Sequence, residues 1–229
     1  MKYVMSDLHG RYDLYLKMLS RIGFGDSDIL YFLGDYVDRS SGGCRIILDT
    51  SERDNVISIT GNHDLMAFYL LSRLSRPLRP GEEADLSELI GAWMMDGGKD
   101  TLDEFRSLTR EEQRLLLGTA DGFRNYAEVK AGGREFVLCH GGLHGYRPDR
   151  PLSDYDVEDL VFHRTDYSRP IYTGERYLVT GHTPTAAIEG ATEGRIYRAN
   201  NHIAIDCGAV FGFGLGCLCL DTLEEFYVT

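Results

Sequence analysis

Five short apolar runs constrain the fold of this chain most, because each is followed directly by side chains that can bind a metal or a phosphate. The runs have the length of strands and are rich in β-branched and aromatic residues. Loops at the carboxyl ends of strands commonly carry functional residues, since the sheet holds them rigidly. The pattern predicts an α/β fold in which five strand ends converge on one edge. The runs are Tyr3–Met5, Ile29–Leu33, Val56–Thr60, Glu135–Cys139 and Tyr177–Thr180.

The residues at the five strand ends are the candidate ligands. In the extended segment Asp7-Leu-His9, residues two apart project to the same side, so both side chains can reach one ion. A carboxylate with an imidazole favours manganese, iron or zinc over calcium, which prefers oxygen ligands alone. Asn62 and His63 are neighbours, so on an extended segment they face opposite ways. The full set is Asp7, His9, Asp35, Asn62, His63, His140 and His182.

The composition bounds the possible partners and the location. The 229 residues carry a formal net charge of -12, which argues against a nucleic-acid duplex because phosphates require a basic face. No apolar stretch reaches the ~20 residues that span a bilayer, and the first ten residues do not resemble a secretory signal. We expect a cytoplasmic protein that forms one domain over residues 1–229, with its five cysteines reduced and unbridged.

The middle of the chain changes to a helical pattern and forms an insert at about 65–126. Within it, Arg76–Glu83 is predicted to be a loop from its prolines and glycine, and Thr109 with Glu112 forms a capping box. The insert either faces the substrate or packs as a plain helical layer; we expect it to cover or flank the site rather than supply its chemistry. Three later runs, Ile203–Asp206, Leu215–Asp221 and Glu225–Val228, are predicted to be closing antiparallel strands, with Asp206 bonding the glycine turn that follows.

The motifs D-x-H, G-D-x-V-D-R, G-N-H-D, H-G-G and G-H-T occur in this order between about residues 3 and 214. This series resembles the phosphoprotein phosphatase family of the calcineurin-like metallophosphoesterases, in its compact bacterial or phage form. The resemblance implies a β-sandwich of two mixed sheets flanked by helices, classed as α/β or, in some schemes, α+β. It also implies two divalent metal ions, most often manganese, with iron or zinc as alternatives. The first ion would take Asp7, His9 and Asp35, and the second Asp35, Asn62, His140 and His182.

The resemblance further implies a role for each remaining polar residue. A hydroxide bridging the two ions would be the nucleophile, and His63, held by Asp38, would be the general acid. Arg39 and Asn62 would bind the phosphate. A second arginine is expected at Arg164, because Phe162-His-Arg164 resembles the W-x-R segment of phage-type members.

The resemblance is compatible with several hypotheses about the substrate. The leading one is a protein-serine/threonine phosphatase, with phosphotyrosine activity also possible, acting on phosphorylated proteins or peptides without regulatory subunits. The alternatives are a diadenosine tetraphosphatase-like hydrolase and a 2′,3′-cyclic phosphodiesterase or RNA-end phosphatase. A noncatalytic metal-bound scaffold is disfavoured, since Asp38, Arg39 and His63 are all present. Asp38 also favours the protein phosphatase, because the nucleotide branch tends to lack the aspartate of V-D-R.

Overall fold

The computed structural model describes residues 1–77, 81 and 83–229, and within them the strands form two five-stranded sheets. All five strands predicted from the apolar runs are present. The strands are β1 (Lys2–Met5), β2 (Ile29–Phe32), β3 (Val56–Ser58), β4 (Tyr126–Ala131), β5 (Arg134–Cys139), β6 (Arg176–Thr180), β7 (Tyr197–Ala199), β8 (His202–Ala204), β9 (Leu215–Cys219) and β10 (Glu225–Val228). The helices are α1 (Tyr12–Ile22), α2 (Gly43–Ser51), α3 (Asn62–Leu74), α4 (Glu83–Met95), α5 (Gly98–Ser107), α6 (Arg110–Asp121) and α7 (Val157–Val161).

Both sheets mix parallel and antiparallel pairs. The first has the order β10-β9-β1-β2-β3, parallel from β1 to β3 and antiparallel at β9 and β10. The second has the order β4-β5-β6-β8-β7, in which β5, β6 and β8 are parallel. The predicted α/β sandwich of two mixed sheets flanked by helices is confirmed. The prediction of antiparallel pairing is wrong for one edge of β8, which pairs with β6 in parallel after a long crossover.

Alternation along the strands explains why β1 and β2, in the middle of the first sheet, are buried on both faces. In β1, Val4 packs between the sheets, whereas Tyr3 and Met5 pack on the opposite face with residues of α1. In β2, Tyr31 points into the sandwich and Phe32 toward the helical side. Successive strand residues face opposite ways, so a strand covered by a sheet on one side and helices on the other is apolar throughout.

The helical insert ends earlier than predicted. Its last helix, α6, begins with the predicted capping box, in which Thr109 Oγ1 accepts from the Glu112 N–H and Glu112 bonds back to the Thr109 N–H. The helix stops at Asp121, and Tyr126 is already the first residue of β4. The prediction of helix up to 126 is wrong, because alternating burial over Tyr126–Ala131 marks a strand that pairs along its whole length with β5.

The remaining sequence predictions concern the insert loop, the cysteines and the membrane. Of the predicted loop at 76–83, residues 78–80 and 82 lie outside the described part, and α4 already begins at Glu83. All five cysteines are buried and unpaired, as predicted. Within the described residues, no helix has the length and apolarity that would let it cross a membrane.

Candidate metal centre and active site

The candidate ligands meet at a seam between the two sheets. Asp7, Asp35 and Asn62 follow strands of the first sheet, whereas His140 and His182 follow β5 and β6 of the second. Hydrogen bonds cross the seam: the His182 N–H donates to Asp7 Oδ1 at 3.1 Å, and His140 Nδ1 lies 2.6 Å from the Leu33 carbonyl oxygen. The five strand ends therefore converge as predicted, but from two sheets rather than from one edge.

The turn that carries Asp7 and His9 is not extended. Asp7 and His9 have φ angles of 55° and 45°, in the left-handed region that aspartate and histidine adopt more readily than most residues. The Asp7 N–H donates to the Gly34 carbonyl and the His9 N–H to the Asp35 carbonyl, at 3.0 and 2.9 Å. The prediction that strand alternation brings these two side chains together is wrong. Hydrogen bonds to the neighbouring turn after β2 hold them instead.

Asp35 lies between two sets of ligand atoms. Its Oδ2 is 3.4 Å from His9 Nε2, and its Oδ1 is 3.4 Å from His140 Nε2. Within the described residues, ligand atoms cluster in two groups that could each hold an ion: His9, Asp35 and His63, and Asp35, His140 and His182. A carboxylate shared in this way is what the predicted bridging role of Asp35 requires. Asn62 Oδ1 joins the second group at 2.9 Å from His140 Nε2.

The role of Asp7 as a ligand of the first ion stays a prediction. Asp7 belongs to neither group of mutually close ligand atoms, because its carboxylate bonds to the Ser6 hydroxyl and the His182 N–H. Burial raises the pKa of Asp7 well above its usual range, and the charges of Asp206 and Asp35 raise it further. His63, predicted to be the acid, also lies close to His9 and Asp35.

The donor atoms fit divalent cations. His9 Nδ1 lies 2.9 Å from the Val37 carbonyl oxygen and His140 Nδ1 2.6 Å from that of Leu33; a carbonyl only accepts, so Nδ1 carries the proton in both rings. Each Nε2 then carries the lone pair and lies 3.4 Å from an oxygen of Asp35. Two divalent ions bound to these atoms would lower the pKa of a water and neutralise a phosphate.

The protonation states of the rings suit the same purpose. Burial lowers the pKa of His9 and of His140 well below the ordinary value, and it lowers that of His182 to about 4. These rings are therefore neutral near pH 7, which is the form that binds a metal ion. Burial also raises the pKa of Asp35, to about 8, and this effect outweighs the charge and the N–H group of His63, which lower it.

The predicted pair of His63 and Asp38 is formed, and the helical insert supports it. His63 Nδ1 lies 2.8 Å from Asp38 Oδ2. Asp38 is completely buried and accepts from Trp93 Nε1 at 3.0 Å and from Thr101 Oγ1 at 2.7 Å. Burial lowers the pKa of His63, but the bond to Asp38 and the charge of Asp35 outweigh it, so the net shift is upward. The insert thus does more than flank the site, since Trp93 and Thr101 satisfy the carboxylate that orients the acid.

His63 and Asn62 diverge for a different reason from the one predicted. They are the first two residues of α3, whose N-cap is Gly61, so helical geometry rather than strand alternation separates their side chains. A Cβ atom on Gly61 would overlap both Oδ1 and the backbone nitrogen of Asp35. Only glycine therefore lets the start of α3 approach the bridging carboxylate.

Asp64 is a positioning residue that the sequence reading missed. Its carboxylate accepts three backbone N–H groups, from Asp35 at 2.7 Å, Tyr36 at 3.0 Å and Gly61 at 3.0 Å. It ties the turn after β2 to the first turn of α3, and so fixes Asp35 relative to Asn62. The signal was present in the sequence, because an acidic residue three positions after an N-cap is half of a capping box.

The two predicted phosphate-binding arginines approach from different sides. Arg39 Nη1 is 2.9 Å from His9 Nε2, and Arg39 Nη2 is 2.7 Å from His63 Nε2. Arg164 is exposed, with Nη1 3.4 Å from the His182 carbonyl oxygen. Arg39 thus borders the first ligand group and Arg164 the second, so a phosphate bound at the seam would lie between two guanidinium groups.

Two further carboxylates border the site. Asp96, at the end of α4, lies 3.6 Å from both Arg39 Nη2 and His63 Nε2, although no motif in the sequence pointed to it. Asp206 accepts the Gly208 N–H at 2.9 Å, as predicted for a turn-forming aspartate. Burial raises its pKa to about 6.

Two mixed sheets that meet at a shared carboxylate between two sets of imidazoles define a metal-dependent hydrolase of phosphate esters. Residues 3–191 match the model of the calcineurin-like phosphoesterases, and the chain belongs to that family. A bis(5′-nucleosyl)-tetraphosphatase (asymmetrical) of Geobacillus sp. strain WCH70 is 25% identical over 257 residues, covering 98% of this chain and 92% of the relative. Serine/threonine-protein phosphatase 2 of Salmonella typhimurium is 28% identical over 180 residues, covering 77% of this chain and 69% of that protein.

A solved structure supports the fold independently. A provisionally named diadenosine tetraphosphatase superposes with a TM-score of 0.67 at 18% identity, covering 99% of this chain and 92% of the other. At this level of identity the likeness establishes the architecture of the sheets and helices.

Proposed function

We propose that this chain hydrolyses bis(5′-nucleosyl) tetraphosphates with the aid of divalent metal ions. The observation that carries the proposal is the similarity to the Geobacillus tetraphosphatase, which extends over nearly the whole of both chains. The similarity to the Salmonella protein phosphatase extends over a smaller share of each. This proposal gives the extent of that similarity more weight than the preference drawn from Asp38, whose bond to His63 equips the site for acid catalysis.

The arrangement of charge suits a chain of several phosphates. Arg39 and Arg164 border different ligand groups, so one can hold the phosphate under attack while the other holds its neighbour. The two arginines place positive charge at the seam of a chain whose formal net charge of -12 would otherwise repel an anionic substrate. His63 would donate its Nε2 proton to the oxygen of the departing nucleotide.

The deciding experiment compares substrates on one preparation loaded with manganese. Diadenosine tetraphosphate, a phosphoserine peptide and a 2′,3′-cyclic nucleotide are assayed in parallel, and the nucleotide products are separated by chromatography. We expect the highest kcat/KM for the dinucleotide. A pair of nucleoside diphosphates would indicate symmetrical cleavage, and a mono- with a triphosphate asymmetrical cleavage. A preference for the peptide would reject the proposal and leave the metal site intact.

A second candidate is the protein-serine/threonine phosphatase, acting on a phosphorylated protein or peptide. The bond from His63 to buried Asp38 favours it, because an alkoxide leaving group needs a proton more than a nucleotide does. The two candidates differ in their response to His63→Asn. Loss of the acid should lower kcat by about 10² or more on phosphoserine, within the range of general acid catalysis, and by much less on a dinucleotide.

A further inference from the structure

The loop between β8 and β9 places an exposed aromatic side chain beside the phosphate-binding arginine. Phe211 is 55% exposed and Phe213 is 40% exposed. The Arg39 guanidinium carbon lies 5.8 Å from the centroid of the Phe211 ring. The exposed ring of Phe211 thus borders the candidate active site, next to a predicted phosphate-binding residue.

The loop is held in one conformation by its own hydrogen bonds. Gly208 turns the chain with a φ angle of 77°, and its N–H donates to Asp206 Oδ1 at 2.9 Å. The N–H groups of Phe211 and Phe213 donate to the Gly208 carbonyl at 3.0 and 3.3 Å. A Cβ atom on Gly208 would lie 2.8 Å from the Phe213 ring and 3.5 Å from the Phe211 ring, so both rings cover this glycine.

A second contact anchors the loop to the turn that follows β1. Arg11 Nη1 donates to the Ala209 carbonyl oxygen at 3.0 Å. Ala209 is buried, and the short 3₁₀ segment Ala209–Phe211 starts from it. The ring of Phe211 is therefore exposed but positioned in advance, so that a ligand stacking on it would order little of the chain.

We propose that Phe211 is the stacking platform for a nucleobase of the substrate, whose phosphates bind at Arg39. The inference rests on the proposed nucleotide hydrolase and adds the residue that recognises the base. An aromatic face binds any base, because every base has a π-face. Because the Arg39 guanidinium lies next to the Phe211 ring, one nucleotide could place its phosphate on Arg39 and its base on Phe211.

Another aromatic surface suits the base less well. A cavity of about 450 Å³ along α3 is lined by Phe68, Tyr69 and Phe123. None of its lining residues is a candidate metal ligand or a phosphate-binding arginine. Phe211, in contrast, lies against Arg39, which itself approaches His9 and His63.

The test compares two substrates in the Phe211→Ala enzyme loaded with manganese. The ratio of kcat/KM for diadenosine tetraphosphate to that for p-nitrophenyl phosphate, which has no base, should fall about 5- to 150-fold, the factor expected for the loss of one stacked base. The loss should appear in KM rather than kcat, and calorimetry should show the same fall in affinity for adenosine diphosphate. Phe211→Tyr keeps the ring and should keep the wild-type ratio.

Two further variants complete the design. Leu115→Ala removes a side chain that is 50% exposed on α6, and it should leave the ratio at the wild-type value. Tyr69→Ala tests the cavity along α3. An unchanged ratio in Phe211→Ala would overturn the inference, and so would an equal loss in Phe211→Tyr or a loss confined to Tyr69→Ala. If the wild-type enzyme does not cleave the dinucleotide, the proposed function fails and this inference fails with it.

Discussion

The hydroxyl of Thr101 offers a sharp test of how the insert supports the acid. Thr101 Oγ1 donates to Asp38 Oδ1 at 2.7 Å and accepts the Asp38 N–H at 2.8 Å, and all these atoms are buried. Thr101→Val keeps the shape of the side chain and removes both bonds. A bond to a charged group contributes about 1.5 to 3 kcal/mol, and a buried N–H left without a partner costs about 1 to 3 kcal/mol. We therefore expect the free energy of unfolding to fall by about 3 kcal/mol.

The assay is urea denaturation followed by the fluorescence of Trp93, the single tryptophan of the sequence, whose Nε1 bonds to the same carboxylate. Thr119→Val is the matched control. Thr119 Oγ1 donates to the Leu115 carbonyl at 2.8 Å in an exposed position, so its loss should change stability by less than about 0.5 kcal/mol. A Thr101→Val enzyme as stable as this control would refute the view that the insert satisfies Asp38.

Three other predictions concern the acid, the metal site and the start of α3. Asp38 helps to raise the pKa of His63. In the pH profile of kcat/KM on a phosphoserine peptide, Asp38→Asn should therefore move the alkaline limb to lower pH. If that limb does not move, it belongs to the titration of another group. Chelation with EDTA should abolish hydrolysis and lower Tm, and manganese should restore both. A Tm that does not respond to metal would contradict the assignment of the two groups of ligand atoms as metal sites. Gly61→Ala should abolish the manganese-dependent rise in Tm, whereas Gly118→Ala, with open space around it, should preserve that rise.

The strand ends could be predicted from the sequence because their signal is local. An apolar run of strand length followed by aspartate or histidine is visible within about ten residues, and Asp7, Asp35 and His140 were found in this way. The sequence did not show which strands belong to which sheet. For example, β8 pairs with β6 only because the long segment between them brings β8 back beside β6. The periodicity of residues within a strand does not indicate which distant strand it will pair with.

The support of the acid could not be predicted for a related reason. Trp93 and Thr101 bond to Asp38 across 55 and 63 residues of sequence, and nothing in their own helices marks them as different from core residues. Asp96 reaches Arg39 and His63 in the same way, from the end of α4. The roles of residues that act through long-range contacts can be recognised only once the three-dimensional structure is known.

The position of β1 has a consequence for biosynthesis. This strand, which precedes Asp7 and His9, lies between β2 and β9. While the protein is being translated, β1 has a partner on one edge only until residues 215–219 have left the ribosome. Pairing between distant segments also forms more slowly than pairing between near ones. The sheet that carries Asp7 and His9 is therefore completed only after residues 215–219 have been synthesised.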